Sequence, residues 1–376
     1  MKIIILVDNL TSGGMQAQLV NLMNGFLNHG HEIHLVLYHS GDDKEFFCDA
    51  LNVPSENIVR LGASGGFKFS VVKYIFSESH RHDVILSFLH SANFYVTCAK
   101  FLNFFARKKR KFLNIVVDMS SFGNRRNWRL YVMSFLSMLF ANRVVSNSET
   151  QKTYYQNLPG GRRKSIFIPN GVDEDRFFVS CKEWEEEREF FLVVGRVSRP
   201  KNGPAFVKAL HKLCLDHGRD CKVVWVGRFD NDAMARDDKA QMDNQISELM
   251  SQGRLEWTWA GEVPNVEYYY SHAQCLIIPS RWEGVPNVLV EAMLAGCPVI
   301  STPVSDIPHI LGRSERGVLC EGVEADHIAD GIQAFGRLKS QEIDDMRLRA
   351  QQYAVRQFSV NSMIDRYMQV ITEVSL

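Results

Sequence analysis

The sequence has few of the features that mark a membrane-spanning or a disulfide-stabilised protein. Its longest apolar run, residues 130–141, is about a dozen residues long, whereas a helix that crosses a bilayer needs about 20. The eight cysteines form no C-x-x-C pair and follow no regular spacing, which argues against a disulfide framework and a zinc site. Cys98, Cys275 and Cys297 lie in apolar runs, so we expect buried free thiols in a reducing compartment.

Two further signatures are missing near the start of the sequence. The apolar stretch 3–7 follows only Met1 and Lys2 and ends at Asp8, and we expect no signal peptide. The first loop contains Gly13-Gly14 but no G-x-G-x-x-G, so the fingerprint of a nicotinamide dinucleotide site is absent. The glycine pair is either a tight turn or a place where backbone approaches a phosphate closely.

Charge is unevenly distributed along a chain whose net charge is zero. Residues 1–170 contain 20 Lys and Arg against 11 Asp and Glu, a balance of +9. Residues 171–376 contain 23 against 32, a balance of −9. A basic half on a neutral protein indicates that this half meets an anionic partner.

Short apolar runs alternate with segments of helical spacing, which predicts parallel α/β sheets. With 376 residues and 45% hydrophobic content, the chain is large enough for two domains. The turn-rich stretch 169–173 marks the predicted boundary, because the charge balance also changes sign there. We therefore predict an N-terminal domain over 1–170, a C-terminal domain over 171–356 and a last helix within 357–376. The predicted strands are 3–7, 33–38, 83–88, 113–118, 143–148, 166–168, 190–194, 222–226, 255–260, 275–278, 298–301 and 317–321.

The stretch 277–308 has the clearest chemical pattern, a strand, a polar loop, a helix and a second strand. Glu283 lies in the loop, and Glu291 lies eight positions later, about one turn inside the helix. Pro286 suits the first helical turn, and the following N–H groups form an anion site there. Two carboxylates at this spacing on a surface helix are more often simply solvated, so the pair needs support from the rest of the chain. The N–H donors expected at this site belong to Asn287, Val288 and Leu289.

Two cations follow the predicted strand 190–194. Arg196 and Lys201 project from its loop and could together hold a diphosphate without a metal ion. Asp-x-Asp pairs occur at 173/175 and 230/232. Such pairs can bind a divalent cation, but few other ligands accompany them, so we predict no metal site.

Polar residues also follow strand 83–88, in the segment 89–93. Ligands of open α/β sheets bind at the carboxyl ends of the strands. His90 is the residue there best suited to move a proton or to bind a sugar hydroxyl. A histidine in this place is as often purely structural.

Basic and aromatic residues are interleaved in two patches of the first half. This composition suits anionic lipid headgroups, with each nearby Lys or Arg contributing about 1 kcal/mol. Nucleic acid is the rival partner, but no nucleic-acid-binding module accompanies the patches, and we predict none. The simplest alternative is a solvated charge run beside core aromatics. The residues expected to meet an anionic membrane surface are Lys108, Lys109, Arg110, Lys111, Arg125, Arg126 and Trp128.

Taken in order, four motifs resemble the retaining glycosyltransferases of family 4. They are the early GGMQ (13–16), IPNGVD (168–173), VVGRVSRPKN (193–202) and EGVPNVLVEAMLAGCPVI (283–300). The resemblance extends over essentially the whole chain. It implies a GT-B architecture, an α/β fold of two Rossmann-like domains facing across a cleft, with the last helix crossing back onto the N-terminal domain. It also implies that the N-terminal domain binds the acceptor and the C-terminal domain the nucleotide sugar.

The resemblance assigns roles to individual residues. Arg196 and Lys201 match the cations on the donor diphosphate, Glu291 the carboxylate on the ribose hydroxyls, and Glu283 the one beside the donor sugar. Gln16 departs from the family pattern, which commonly has an acidic residue after the glycine pair. The remaining donor-site residues implied are Gly14, Val263 near the base, Val285, Pro286, Asn287 and Val288 through backbone groups, and His90 near the sugar.

The expected activity is that of a hexosyltransferase. The enzyme would transfer a sugar from a nucleotide sugar, by default a UDP-sugar, to a lipid-linked, lipopolysaccharide or polysaccharide acceptor at the inner membrane face. It would form an α linkage by a front-face route and need neither metal nor cofactor. Three alternatives stay open: a soluble transferase with a small-molecule acceptor, a nucleotide-sugar-binding protein without catalysis, and a GT-B epimerase.

Overall fold

The structure is a computed structural model that describes residues 1–10, 14–39, 50–63, 66–106, 111–119, 128–180, 184, 188–230, 232–283 and 286–375. The chain forms two compact units. Unit 1 comprises Met1–Gly171 and Val360–Leu376, and unit 2 comprises Val172–Ser359. The elements below are numbered along the whole chain.

Unit 1 is built on a seven-stranded sheet with the order β3-β2-β1-β4-β5-β6-β7, in which all pairs are parallel. Its central strands are buried along nearly their whole length, as their uniformly apolar sequences predict for a sheet covered on both faces. The strands are β1 Lys2–Val7, β2 Glu32–Leu37, β3 Ile58–Arg60, β4 Val84–Phe88, β5 Asn114–Asp118, β6 Arg143–Ser146 and β7 Ser165–Phe167. The helices are α1 Gly14–Asn28, α2 Phe69–Glu78, α3 Leu89–Phe105, α4 Trp128–Phe140, α5 Glu149–Gln156 and α14 Val360–Ser375.

The last helix, α14, packs on α1 within unit 1. Its residues Ile364 and Tyr367 lie in the same core cluster as Phe26, and the Tyr367 and Phe26 rings meet edge to face at 6.4 Å. Gly25 permits this close approach, because a Cβ there would lie 2.1 Å from Cδ1 of Ile364. The expectation that the last helix crosses back to the N-terminal domain is confirmed.

Unit 2 is built on a six-stranded parallel sheet with the order β10-β9-β8-β11-β12-β13. The strands are β8 Phe190–Val194, β9 Cys221–Val226, β10 Leu255–Gly261, β11 Ala273–Ile278, β12 Val299–Ser301 and β13 Val318–Leu319. The helices are α6 Glu174–Phe177, α7 Gly203–Leu215, α8 Ala233–Ser251, α9 Val266–His272, α10 Asn287–Leu294, α11 Ile307–Leu311, α12 Ala325–Gly336 and α13 Ser340–Phe358.

The strand order of unit 2 determines where its ligand site can form. The chain runs outward from β8 to β10, then returns to place β11 on the other side of β8. Ligands of such sheets bind where this change of direction occurs, beyond the carboxyl ends of the strands. The loops that follow β8 and β11 therefore lie side by side, and they contain Arg196, Lys201 and Glu283.

Several sequence expectations can be checked at this level. The six cysteines in the described part of the chain are free thiols, five of them buried and Cys98 half-buried. No described helix is long and apolar enough to span a bilayer. Residues 89–93, the polar segment that follows strand 83–88, begin helix α3. Leu89 adopts a φ of 71°, and this left-handed turn lets the helix begin directly at the strand end.

Candidate active site

The side chains of Lys201 and Glu283 form an ion pair at the switch point of unit 2. Lys201 Nζ lies 2.6 Å from Glu283 Oε1, and the two side chains are only 19% and 13% exposed. Ser280 Oγ donates a second hydrogen bond to the same carboxylate oxygen at 2.6 Å. The family resemblance assigned both residues to the nucleotide-sugar donor site, and the structure brings their side chains into direct contact.

Two glycines permit the close packing around the loop after β8, and one of them lies against the Lys201 side chain. Gly195 has a φ of 141°, and a Cβ on it would lie 2.8 Å from Cε of Lys201. Gly227 has the same φ, and a Cβ on it would lie 2.1 Å from the carbonyl oxygen of Gly195. Both conformations lie in the region that favours glycine. Gly195 is therefore favoured by its own backbone conformation, and it also leaves room for the end of the Lys201 side chain.

Asn202 connects the loop after β8 to the loop after β11. It is 1% exposed and adopts the left-handed conformation with a φ of 55°. Its Nδ2 donates to the carbonyl oxygens of Pro279 (2.9 Å) and Val323 (2.8 Å), and its Oδ1 accepts from Nε of Arg281 at 2.7 Å. Because Asn202 directly follows Lys201, these bonds fix the lysine beside Glu283.

The backbone of Glu283 is held by one serine. Ser305 Oγ accepts from the Glu283 N–H at 3.3 Å and donates to the Glu283 carbonyl oxygen. Ser305 is itself left-handed, with a φ of 51°. The carboxylate is thus oriented by its own backbone as well as by Lys201.

Arg196 contacts a different acid. One of its terminal nitrogens, Nη1, lies 3.0 and 3.1 Å from the two carboxylate oxygens of Asp230. The Arg196 side chain is 59% exposed, so this ion pair is open to solvent and weak. The structure therefore does not join Arg196 to Lys201, and the role of Arg196 at the diphosphate stays a prediction.

The candidate anion site at the start of α10 has fewer free N–H donors than the sequence predicts. The helix begins at Asn287, and Pro286 is its N-cap and not part of the first turn as predicted. The Leu289 N–H donates to the Pro286 carbonyl oxygen at 3.0 Å, so it is not available to a ligand as predicted. The first-turn groups of Asn287 and Val288 remain the candidate donors for an anion. Val285 lies outside the described residues.

Glu291 lies on the fifth residue of α10 and contacts Tyr270 of α9. The Tyr270 hydroxyl donates to Glu291 Oε2 at 2.8 Å. The apolar surroundings raise the pKa of Glu291, although the hydrogen bond from Tyr270 and the cation of Arg176 act in the opposite direction. Burial and the adjacent carboxylate raise the pKa of Tyr270 well above its usual value, so the phenol keeps its proton.

The remaining predicted residues lie on separate elements. Val263, after β10, packs on the same core cluster as Tyr270 and Leu289. In unit 1, His90 lies in the first turn of α3, with Nδ1 3.2 Å from Oγ of Ser134 on α4. Gly14 is the first residue of α1. Their contacts with a donor stay predictions.

The two Asp-x-Asp pairs act as helix caps. The Asp173 side chain accepts from the N–H of Asp175 at the start of α6, and Asp232 accepts from the N–H of Ala235 at the start of α8. In the part of the chain that the structure describes, no three His, Cys, Asp or Glu side chains are grouped as metal ligands.

Most of the predicted membrane-contacting cations, Lys108–Arg110 with Arg125 and Arg126, lie outside the described residues. Lys111 is exposed, and its Nζ donates to the Ser375 carbonyl oxygen at 2.8 Å. Trp128, the first residue of α4, is 70% exposed. These positions are compatible with a surface role and do not test it.

Two family sequence models match consecutive parts of the chain. The family "Glycosyltransferase Family 4" matches residues 12–176, and "Glycosyl transferases group 1" matches residues 176–356. The chain belongs to glycosyltransferase family 4. The motifs of this glycosyltransferase thus identified its family correctly, from the glycine loop of unit 1 to the Glu283–Glu291 segment of unit 2.

Known proteins similar to this glycosyltransferase agree with that assignment. The structure of HepE from Anabaena in complex with UDP has a TM-score of 0.78 to this chain, with 18% identity, 99% of this chain covered and 100% of HepE. This likeness shows the GT-B fold.

Two relatives have names that state an acceptor. A Campylobacter jejuni α-1,4-N-acetyl-D-galactosaminyltransferase, named for a diphosphoundecaprenol-linked glycan, is 24% identical over 85% of this chain and 84% of the relative. The Rhizobium meliloti lipopolysaccharide core biosynthesis mannosyltransferase LpsB is 22% identical over 65% of this chain and 69% of its own length.

Sequence reasoning missed two residues of the site. Asn202 was noted only as the last residue of the motif 193–202, although asparagine is one of the few residues that adopt the left-handed conformation. Tyr270 lies within a run of three tyrosines, and nothing local distinguishes it from its neighbours. Only the packing of α9 against α10 brings its hydroxyl to Glu291.

Proposed function

We propose that this glycosyltransferase moves a hexosyl group from a UDP-sugar to a lipid-linked or lipopolysaccharide-type glycan, with retention of configuration and formation of an α linkage. The proposal places the reaction at the inner face of the cell membrane and assigns it no metal ion. The observation that carries it is the half-buried Lys201–Glu283 pair at the switch point of unit 2. The UDP complex of HepE and the α linkage in the name of the Campylobacter relative support the choice of donor and product.

In this proposal the donor diphosphate lies between the loop after β8 and the start of α10. The Lys201 ammonium has three donors, and Glu283 and the incoming phosphate share them. The Arg196 side chain is largely exposed, and it leaves Asp230 for the stronger charge of the diphosphate. Fixed donors of this kind stabilise developing negative charge by about 3 kcal/mol each. Glu291 accepts the ribose hydroxyls, which suits a carboxylate in apolar surroundings.

Retention is assigned to a front-face route. The Glu283 carboxylate accepts hydrogen bonds from both Lys201 and Ser280, and these bonds make it a poor nucleophile. Its role is therefore to position the transferred sugar. The diphosphate leaves as Lys201, Arg196 and the α10 start neutralise it, the acceptor hydroxyl attacks on the same face, and the leaving phosphate oxygen takes the hydroxyl proton.

Membrane attachment is assigned to an exposed apolar face of α3 and α4. The polarity of helix α4 is reversed relative to an ordinary surface helix: the polar Ser134 and Ser137 are buried, whereas the aromatic Trp128 and Tyr131 are exposed. A basic run, 107–111, directly follows α3 in the sequence, and basic charge beside exposed aromatics is suited to an anionic lipid surface. The exposed apolar face comprises Phe101, Phe104, Phe105, Trp128, Tyr131, Val132 and Leu139.

The test is product formation followed by mass spectrometry with UDP- and GDP-sugars in EDTA. A diphosphoundecaprenol-linked glycan and a free hexose serve as acceptors. We expect transfer from a UDP-sugar to the lipid-linked glycan, with an α-anomeric proton in the NMR spectrum of the product. Arg196→Ala and Lys201→Ala should reduce turnover strongly, while Arg199→Ala, a change to an exposed neighbour, should not. Near-normal turnover in both site variants would overturn the assignment.

The same assay separates the alternatives. Transfer to the free hexose but not to the lipid-linked glycan would indicate a small-molecule acceptor. UDP-sugar binding without hydrolysis or transfer would indicate a binding protein. A dependence on Mg²⁺ would contradict the metal-free route.

A further inference from the structure

A pocket of about 510 Å³ opens in unit 1 beyond the carboxyl ends of its strands. Asp8 follows β1, Tyr38 follows β2 and Ser91 lies in the first turn of α3 after β4. Since β1 separates β2 from β4, the pocket lies where the strand order of this sheet changes direction, the usual ligand position. Its volume falls in the range of small-ligand sites, about 300–1,000 Å³.

Aromatic rings form one wall of this pocket. Phe67 stacks on Tyr95, with ring centroids 5.1 Å apart and planes inclined by 14°, and Phe94 meets Phe67 at 5.8 Å. The Tyr95 hydroxyl accepts from the Lys68 N–H at 3.0 Å, which fixes the segment that carries Phe67. Phe67 is nevertheless 53% exposed. A large apolar ring is thus held rigidly at a pocket rim.

Hydrogen-bonding groups form the opposite part of the lining. Asp8 contributes a carboxylate, and Tyr38 and Ser91 each contribute a hydroxyl. Burial and the nearby Asp8 charge raise the pKa of Tyr38, so its phenol stays neutral. No lysine or arginine occurs among the described residues of the lining. Among the described lining residues, Asp8 repels a phosphate group and the one basic side chain is that of His39. An aliphatic chain is disfavoured because it would desolvate the Asp8 carboxylate.

We propose that this pocket binds a sugar ring of the acceptor glycan, with the apolar face of the ring on Phe67 and its hydroxyls on Asp8 and Tyr38. A pyranose offers C–H groups on its face and hydroxyls at its edge, and the pocket offers the matching surfaces. The role of the bound sugar as acceptor rests on the proposed function. For a lipid-linked acceptor, the recognised part is the carbohydrate and not the polyprenyl chain or its diphosphate.

The test is saturation-transfer-difference NMR on the full-length protein with UDP present. The probes are the methyl α-glycosides of glucose, galactose, N-acetylglucosamine and N-acetylgalactosamine, with farnesyl phosphate and inorganic pyrophosphate as rivals. We expect ring-proton signals from at least one glycoside that UDP does not abolish. These signals should fall at least about fivefold in Phe67→Ala and in Asp8→Asn. Phe69→Ala is the matched control, because Phe69 is 51% exposed and does not line the pocket.

Several outcomes would overturn the inference: no glycoside signal, abolition of the signal by UDP, equal signals in Phe67→Ala and Phe69→Ala, or signal from farnesyl phosphate or pyrophosphate alone. In the transfer assay, Phe67→Ala should raise the acceptor KM about tenfold and leave the donor KM unchanged. If the wild-type protein transfers no sugar, the proposed function fails, while the NMR result still decides whether this pocket binds carbohydrate.

Discussion

Lys201 Nζ lies 2.6 Å from Glu283 Oε1, and each is the charge partner of the other in a half-buried setting. The two residues are 82 positions apart and come from the loops after β8 and β11. In the proposed function, the lysine that binds the diphosphate also holds the carboxylate that positions the sugar. Changes at either residue therefore combine a structural effect with a catalytic one.

A double-mutant cycle should separate these two effects. Lys201→Met keeps the length of the side chain but leaves the Glu283 charge without its partner, so we expect a loss of about 1–2 kcal/mol of stability. It should also lower kcat about 100-fold or more. Adding Glu283→Gln removes the uncompensated charge and should restore most of the stability but not kcat. Urea denaturation and product assays measure the two quantities.

The exposed pair Lys212–Asp326, at 2.9 Å in the same unit, is the control for this cycle. Its removal should change stability by less than about 0.5 kcal/mol and leave kcat unchanged. If kcat recovered in the double variant together with stability, Lys201 would have a structural role only.

The pH dependence of nucleotide binding should report on Glu291. Burial raises the pKa of Glu291, so the carboxylate that we propose accepts the ribose hydroxyls is protonated at a higher pH than an ordinary glutamate. UDP affinity should therefore fall as the pH drops through this raised value. Glu291→Gln should bind UDP about tenfold more weakly at neutral pH and show no such acid limb. Calorimetric titration between about pH 5 and 8 measures both.

The contribution of Glu291 to folding stability should fall as the pH rises, whereas its contribution to UDP binding falls as the pH drops. A raised acid pKa means that the folded protein holds the proton more tightly than the unfolded chain. The contribution to stability is therefore present below the unfolded pKa, about 4.3, and is lost as the pH rises through the folded value. Glu291→Gln should remove this loss and be no less stable than wild type at neutral pH.

Tyr270→Phe should shift the acid limb of UDP binding to higher pH, because the Tyr270 hydrogen bond lowers the pKa of Glu291. A shift to lower pH would contradict the assignment.

The left-handed Asn202 should be essential for the stability of unit 2. Asn202→Gly keeps the backbone conformation and loses three side-chain hydrogen bonds, at roughly 1 kcal/mol each. Asn202→Ala loses the same bonds and adds about 1–2 kcal/mol of backbone strain. Five of the six tryptophans belong to unit 2, so tryptophan fluorescence during urea denaturation follows this unit. Equal stability of the Gly and Ala variants would contradict the role given to the backbone conformation.

Flotation with liposomes should test the exposed apolar face. Wild-type protein should float with vesicles that contain an anionic lipid, and less so at high salt. Trp128→Ala combined with Tyr131→Ala should reduce the bound fraction several-fold. Tyr268→Ala, an equally exposed aromatic in unit 2, is the control. If wild-type protein bound neutral and anionic vesicles equally, or if the double variant bound as well as wild type, membrane contact through this face would be contradicted.

Local patterns predicted the framework of the site well. Strand β8 has the predicted bounds, because Phe190–Val194 is a continuous apolar run between polar segments. The position of Glu291 inside α10 followed from Pro286 and the spacing of apolar residues. For segment 89–93 the sequence indicated only polar residues beyond the end of a strand, and no helix start. The helix begins there through a left-handed leucine, which the sequence pattern does not indicate.

The sequence by itself determined the family, the two parallel sheets and the segments that carry Arg196, Lys201, Glu283 and Glu291. These depend on periodicity and on turn chemistry, which act between near neighbours. Only the tertiary structure decided that Lys201 pairs with Glu283, that Arg196 rests on Asp230 and that Tyr270 serves Glu291. These partners are separated by between 21 and 82 residues. Their pairing depends on which strands lie side by side, and no local pattern specifies that order.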